Sequence, residues 1–200
     1  MKPVVPHLYL ASQSPRRREL LSQIGVNHAV INASVPEQPA PGETPLDYVQ
    51  RLAREKAAAG FAELQRQGLP LTPVLGADTL GVIDGEILEK PQDKAHAREI
   101  LLRLSGKTHE VITAVAMHDQ HRQAQRHSIT RVSFRDLSEE EIAAYWETGE
   151  PQDKAGGYGI QGLGAVFVTG IEGSYSCVVG LPIEATCELL RQFHVPWWSQ

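Results

Sequence analysis

Four apolar residues, Leu8 to Ala11, run almost directly into Ser14-Pro15, so the chain must change from strand to helix within a few residues. Proline is accepted at the first helical position, where its missing N–H would have no partner anyway, and a serine just before it is suited to cap the turn. Leu20, Leu21 and Ile24 give that helix an apolar face, and Gly25 ends it. A strand over Ala29–Ile31 is expected next. Farther on, Asp84-Gly85 stands between apolar runs and signals a hairpin, because both turn positions need positive φ. Helical crossovers and hairpins in one chain point to an α/β fold with a mixed sheet flanked by helices.

The remaining elements fit that class. After a proline-rich connection from Pro36 to Pro45, Thr44, Pro45 and Asp47 open a long helix reaching Gln67. A strand over 73–77 leads through Asp78 into Thr79–Ile83. A helix over Asp93–Leu104 is stopped by Gly106, and strands at 108–117 and 127–135 flank a polar tip. Ser138 and Glu141 form a capping box for a helix to Thr148. A glycine-rich loop over 155–164 precedes strands at 165–171 and 174–179, and a last helix starts at Pro182. Without an internal repeat or a linker, the 200 residues are expected to form a single domain spanning 1–200.

Composition removes several function classes. A net charge of −5 opposes a nucleic-acid partner. Cys177 and Cys187 lack CxxC spacing and form no disulfide framework, as in a reducing compartment. Pro6 and His7 interrupt the one stretch that imitates a signal peptide, and no apolar run is long enough to cross a bilayer. The expectation is a cytoplasmic protein with no membrane partner.

Against that acidic background, Arg16, Arg17 and Arg18 crowd the first turn of the first helix, where acidic residues are favoured. Cations there are destabilising unless an anion offsets them, so Ser12-Gln13-Ser14-Pro15-Arg16-Arg17 reads as an anion site rather than a surface helix. It is not a Walker A loop. Lys56 falls within the apolar stripe Val49, Leu52, Ala53, Ala57 and Gly60 of the long helix, where it must snorkel, pair with a carboxylate or reach a ligand anion. Asp78 interrupts an apolar strand and needs a cation, a metal or an activated water. Lys90, extended before Pro91, can return to the same place.

Two patterns mislead. Gly157 to Gly162 spells G-x-G-x-x-G, but a polar run precedes it and an apolar strand is expected after it, so it is not a dinucleotide fingerprint; its glycines are read as allowing close approach of a ligand. His118, His121 and His127 surround a polar tip rich in Gln, Arg and Asp, which reads as a solvated turn and not a zinc site.

In order along the chain, LYLASQSPRRRELL, LAREKA, GADT, ILEKP, LSGKTHEVITAVA and DKAGGYGIQGLG resemble the Maf-like nucleotide pyrophosphatases from Leu8 to about Leu190. The resemblance implies an elongated mixed sheet with two lobes around a deep cleft, and divalent-metal-dependent hydrolysis releasing a nucleoside monophosphate and pyrophosphate. It assigns Asp78 as proton acceptor, Ser12, Arg16, Arg17, Lys56 and Lys90 to the phosphates, and an acid near Glu37 as a metal ligand with Asp78, the ion being Mg or Mn. Arg16, Thr79 and Gln161 fall at positions that separate a dTTP/UTP arm from one acting on 7-methylguanosine triphosphate. Gln161 resembles the former: a neutral amide meets the mixed edge of uracil or thymine, including modified pyrimidines, whereas a carboxylate suits a cationic methylated purine. A homodimer is a further family expectation. The competing readings are a nucleotide-binding regulator of septum formation without turnover, and the oxidoreductase of the glycine pattern.

Overall fold

The computed structural model describes residues 5–198. Its strands are β1 (Leu8–Ala11), β2 (His28–Val30), β3 (Val74–Ile83), β4 (Glu86–Leu88), β5 (Thr108–His118), β6 (Gln123–Phe134) and β7 (Val168–Glu172). The helices are α1 (Pro15–Gln23), α2 (Pro45–Gln67), α3 (Lys94–Leu104), α4 (Glu139–Glu147), α5 (Tyr175–Val179) and α6 (Ile183–Gln192). The seven-stranded sheet has the order β2-β1-β3-β5-β6-β7, with β4 paired on β3. β1 is parallel to both β2 and β3, as strands joined through α1 and α2 must be, while β4 and β7 pair antiparallel with β3 and β6. The sheet is mixed, as the sequence indicates.

Packing groups the chain into two units. The first holds the described residues up to Asp78, Thr113–Ser128 and those from Gly180 onward; the second holds Thr79–Ile112 and Ile129–Val179. Asp78 and Thr79 are consecutive on β3, so that strand passes from one unit into the other.

In the first unit, α2 starts where Thr44 Oγ1 accepts the Asp47 N–H at 3.1 Å, and ends at Gly68 in the left-handed conformation. Its buried stripe is Val49, Leu52, Ala53, Ala57, Phe61 and Leu64. Phe61 and Leu64 pack with Tyr9, Ala11, Ile31 and Val74 from the sheet. Two glycines set how closely helix and sheet approach. A Cβ on Gly76 of β3 would stand 2.3 Å from the Ala53 carbonyl oxygen and 2.5 Å from the Ala57 nitrogen, both backbone atoms of α2. On the helix side, a Cβ at Gly60 would stand 2.8 Å from Val74 and 2.9 Å from Ala11.

The second unit has an aromatic centre. His109, Phe134 and Tyr158 meet edge to face, and Phe167 joins Phe134 to Tyr145. Burial lowers the His109 pKa to about 4, so its imidazole is neutral at pH 7, with Nε2 2.7 Å from the Tyr158 hydroxyl. Asp84 and Gly85 both have positive φ, 53° and 80°, as the β3–β4 hairpin requires.

Three expectations are corrected. The run at 174–179 is the helix α5 and not a strand, because Ser174 organises a turn: its carbonyl accepts the N–H of Cys177 and Val178, and its hydroxyl accepts Cys177 N–H at 3.2 Å. The strand expected from 165 starts at Val168, since Leu163–Phe167 winds as a 3₁₀ turn. β6 starts at Gln123, four residues before the expected 127, because its polar residues bind α2: Gln123 Nε2 donates to the Arg54 carbonyl and Arg54 to Gln125 Oε1. Among the described residues no helix is long and apolar enough to cross a membrane.

Because backbone atoms cannot yield as a flexible side chain does, Gly76→Ala should lower stability by about 2–3 kcal/mol through overpacking. Denaturant unfolding checks this; an unchanged midpoint would show that α2 does not need that glycine.

Candidate active site

α2 carries Lys56 between the fully buried Ala53 and Ala57, at the level where Gly76 admits the helix to β3. Two residues beyond Gly76 on that strand stands Asp78. Lys56 Nζ lies 2.7 Å from Asp78 Oδ1 and 2.7 Å from Glu37 Oε1. The Lys56 and Asp78 side chains are only 13% and 14% exposed, so water screens this pair little; Glu37 is 52% exposed and closes the group from outside. Of the three fates open to Lys56 in the sequence, pairing with carboxylates is the one realised, and it takes both.

The second half of the cluster grows from the β1–α1 junction. Arg17 Nη1 donates to Ser12 Oγ at 3.0 Å and Arg17 Nε to the Gly180 carbonyl at 2.8 Å. Ser14 N–H also donates to Ser12 Oγ, at 3.2 Å. Ser14 holds the N-cap position, but its side chain makes no capping bond among the described residues, a correction to the expected cap. Ser12 organises the junction instead. With both lone pairs of its oxygen engaged, the group it has left to offer is its proton. Burial lowers the Arg17 pKa; the charges of Asp78 and Glu37 oppose that fall, and Arg16 adds to it. The cations of α1 and the anions around Lys56 therefore share one electrostatic environment.

Tyr48, which sequence reading passed over, belongs here. Its pKa is raised by burial and then by the charges of Asp78 and Glu37. It stands two i→i+4 steps before Lys56 on the ridge Tyr48, Leu52, Lys56, a spacing visible in the sequence. The structure thus gathers Ser12, Arg16, Arg17, Glu37, Lys56 and Asp78.

Thr79, Lys90 and Gln161 lie in the second unit. Thr79 lines a cavity with Leu80, His109, Tyr158 and Ile160, and the exposed Gln161 follows Ile160 directly. Lys90, exposed, leaves β4 against the glycine-rich loop: Gly156 N–H donates to the Glu89 carbonyl at 3.2 Å, and Pro91 packs on Gly157.

The G-x-G-x-x-G segment runs into the 3₁₀ turn Leu163–Phe167 and not into a helix that could receive a pyrophosphate, so the dinucleotide reading fails on geometry. Its glycines also answer to a different demand than ligand approach. A Cβ at Gly162 would stand 2.1 Å from Glu150 Oε2, and one at Gly164 2.7 Å from the Tyr145 hydroxyl. Glu150 and Tyr145 occupy the inside of this loop; neither stood out in the sequence. Of the tip histidines, His118 packs edge-on to Phe61 and His127 lies 3.0 Å from Gln50 Nε2. Among the described residues no three His, Cys, Asp or Glu side chains are placed to hold a metal on their own.

A family model described as "Maf-like protein" matches residues 7–193. A relative from Saccharophagus degradans named dTTP/UTP pyrophosphatase is 56% identical over 96% of this chain and 91% of its own. Relatives with the same name from Alkalilimnicola ehrlichii (52% identical, over 96% of this chain and 95% of its own) and Escherichia coli O157:H7 (53%, over 94% and 93%) are similar along nearly their whole length. With the family model matching nearly the whole chain and these relatives more than half identical to it, the chain belongs to the Maf-like protein family.

Proposed function

We propose that this protein is a nucleoside triphosphate pyrophosphatase that hydrolyses dTTP and UTP to the monophosphate and pyrophosphate. The observation that carries this reading is Asp78 held by Lys56 beside Arg16 and Arg17, a proton acceptor set among cations suited to a triphosphate. Relatives more than half identical and named for that activity support it, and favour it over a regulator without turnover.

In the reaction proposed, the Ser12 hydroxyl donates a hydrogen bond to a phosphate oxygen, while Arg17, anchored by Ser12 and Gly180, presents a fixed positive charge. Lys56 fixes one oxygen of Asp78, and Asp78 takes the proton of the water attacking the α-phosphorus in line. Pyrophosphate leaves into the charge that the family resemblance assigns to Arg16, Arg17, Lys56 and Lys90, so no covalent intermediate is needed. Glu37 and Asp78 are the oxygen ligands this reading gives a hard divalent ion. Their Oε1 and Oδ1 atoms face the Lys56 ammonium, so an ion would be held through the carboxylates' remaining oxygens, with the rest of its shell from water and phosphate, as magnesium sites with one or two carboxylates commonly have. Mg²⁺ or Mn²⁺, when bound there, supplies charge neutralisation of the phosphates. Thr79 and Gln161 are assigned to the base, with Gln161 offering an amide to the donor and acceptor edge of uracil or thymine. The same reading makes the whole chain one catalytic domain, cytoplasmic, a homodimer, and without a nucleic-acid partner.

A nucleotide panel with Mg²⁺ tests the reaction class: pyrophosphate should be the first product from dTTP and UTP, and orthophosphate would move the cut to the γ-phosphate. Asp78→Asn should reduce turnover about 10²–10⁴-fold. Its melting should change modestly, because Glu37 stays on the Lys56 ammonium. Wild-type turnover in that variant would remove Asp78 from catalysis.

Gln161→Glu replaces a donor–acceptor amide by an acceptor-only anion. It should lower the kcat/KM ratio of dTTP over 7-methylguanosine triphosphate, because a pyrimidine carbonyl would lose its donor while the cationic purine would gain a counter-charge. A ratio that does not move would separate Gln161 from base recognition.

A further inference from the structure

Glu150 opens the short 3₁₀ turn Glu150–Asp153, and its carboxylate is used on both oxygens. Oε1 accepts from the Tyr145 hydroxyl at 2.6 Å and from Gly164 N–H at 2.9 Å; Oε2 accepts from Leu163 N–H at 2.8 Å. The Tyr145 hydroxyl in turn accepts Gly159 N–H at 3.1 Å. The far end of the loop is therefore tied to the carboxylate directly, and the near end through Tyr145. Between these ties, Gly159-Ile160-Gln161-Gly162 makes one turn closed by Gly162 N–H on the Gly159 carbonyl at 3.1 Å. Ile160 lines the same cavity as Thr79, and Gln161 is exposed beside it in the turn.

The glycines show that the loop is shaped around this side chain. A Cβ at Gly162 would overlap Glu150 Oε2 at 2.1 Å, one at Gly159 would press Glu150 Oε1 at 3.0 Å, and one at Gly164 would meet the Tyr145 hydroxyl at 2.7 Å. Lys154 holds the base of the same turn, its Nζ donating to the Glu150 carbonyl at 2.8 Å. Burial raises the Glu150 pKa, but the bonds from Tyr145, Gly164 and Leu163 and the charge of Lys154 outweigh it, and the net shift is downward.

We propose that Glu150 is a positioning residue for base selection, an internal anion around which the loop is wound so that Gln161 is presented in one orientation. The inference rests on the reading of Gln161 as the base-contacting amide. Glu150→Gln keeps the shape but cannot accept on both sides: whichever way the amide turns, its nitrogen must face the N–H of Leu163 or of Gly164. The loop then loses a tie at one end, and a side chain displaced by even an ångström loses much of its discriminating power.

The test compares kcat and KM for dTTP and for dCTP, whose exocyclic amine replaces the O4 acceptor, in Glu150→Gln, Gln161→Ala and the double variant. Glu150→Gln should reduce the dTTP/dCTP ratio of kcat/KM about 10-fold, mainly through KM, with kcat for dTTP nearly kept. The double variant should discriminate no worse than Gln161→Ala alone. Hydrogen exchange of the amides from 159 to 164 should quicken in Glu150→Gln while the rest of the protein keeps its protection. If the ratio falls in Gln161→Ala but not in Glu150→Gln, the positioning role is overturned and the reading of Gln161 stands. If Gln161→Ala leaves the ratio unchanged, that reading fails, and the positioning role fails with it. Unchanged exchange in the loop, or an equal loss of kcat on both nucleotides, would also overturn the proposal.

Discussion

Everything proposed for the chemistry depends on how closely α2 approaches β3. A lysine reaches a strand carboxylate from a packed helix only if the helix axis comes near enough, and a side chain on either surface would hold the two apart. Here the surfaces lack side chains at matching places. Gly76 admits the α2 backbone at Ala53 and Ala57, and Gly60 lets the helix settle on Val74 and Ala11. Lys56, next to Ala57, is brought to 2.7 Å from Asp78 as a consequence. Packing thus comes first, and the ion pair follows from it.

The electrostatics of the first unit make sense as a balance. Three arginines begin a helix with no acidic residue in its first turn, an arrangement that costs stability by itself. Asp78 and Glu37 offset part of that charge, as the opposing effects on Arg17 record. The balance leaves the cluster of Arg16, Arg17, Lys56, Glu37 and Asp78 with one positive charge in excess, suited to receive an anion of higher charge. Ser12 contributes order more than charge, tying Arg17 to the turn that ends β1.

Much of this was legible in the sequence because it is written in local rules. The Thr44–Asp47 cap, the Asp84-Gly85 turn and the Ser138–Glu141 capping box appear where their residues demand. Lys56 in an apolar stripe and Asp78 in an apolar strand each pointed to a missing partner, and they proved to be partners of one another. What stayed hidden is long-range. Tyr145 and Glu150 read as ordinary helix and turn residues until the loop 159–164 folds over them. The apolar text of α5 resembles a strand, and only the Ser174 turn decides otherwise. The glycines after Lys154 announced a close approach, but not that the approaching group is the protein's own carboxylate.

The account makes Asp78 the acceptor of a proton from water that attacks the α-phosphorus, and oxygen-isotope labelling tests that claim most directly. Hydrolysis of dTTP by the wild-type protein in water enriched in ¹⁸O should place the label in the nucleoside monophosphate, with none in the pyrophosphate. Label in the pyrophosphate would mean attack on the β-phosphorus and would contradict the arrangement of acceptor and leaving-group charge derived from Ser12, Arg17, Lys56 and Asp78.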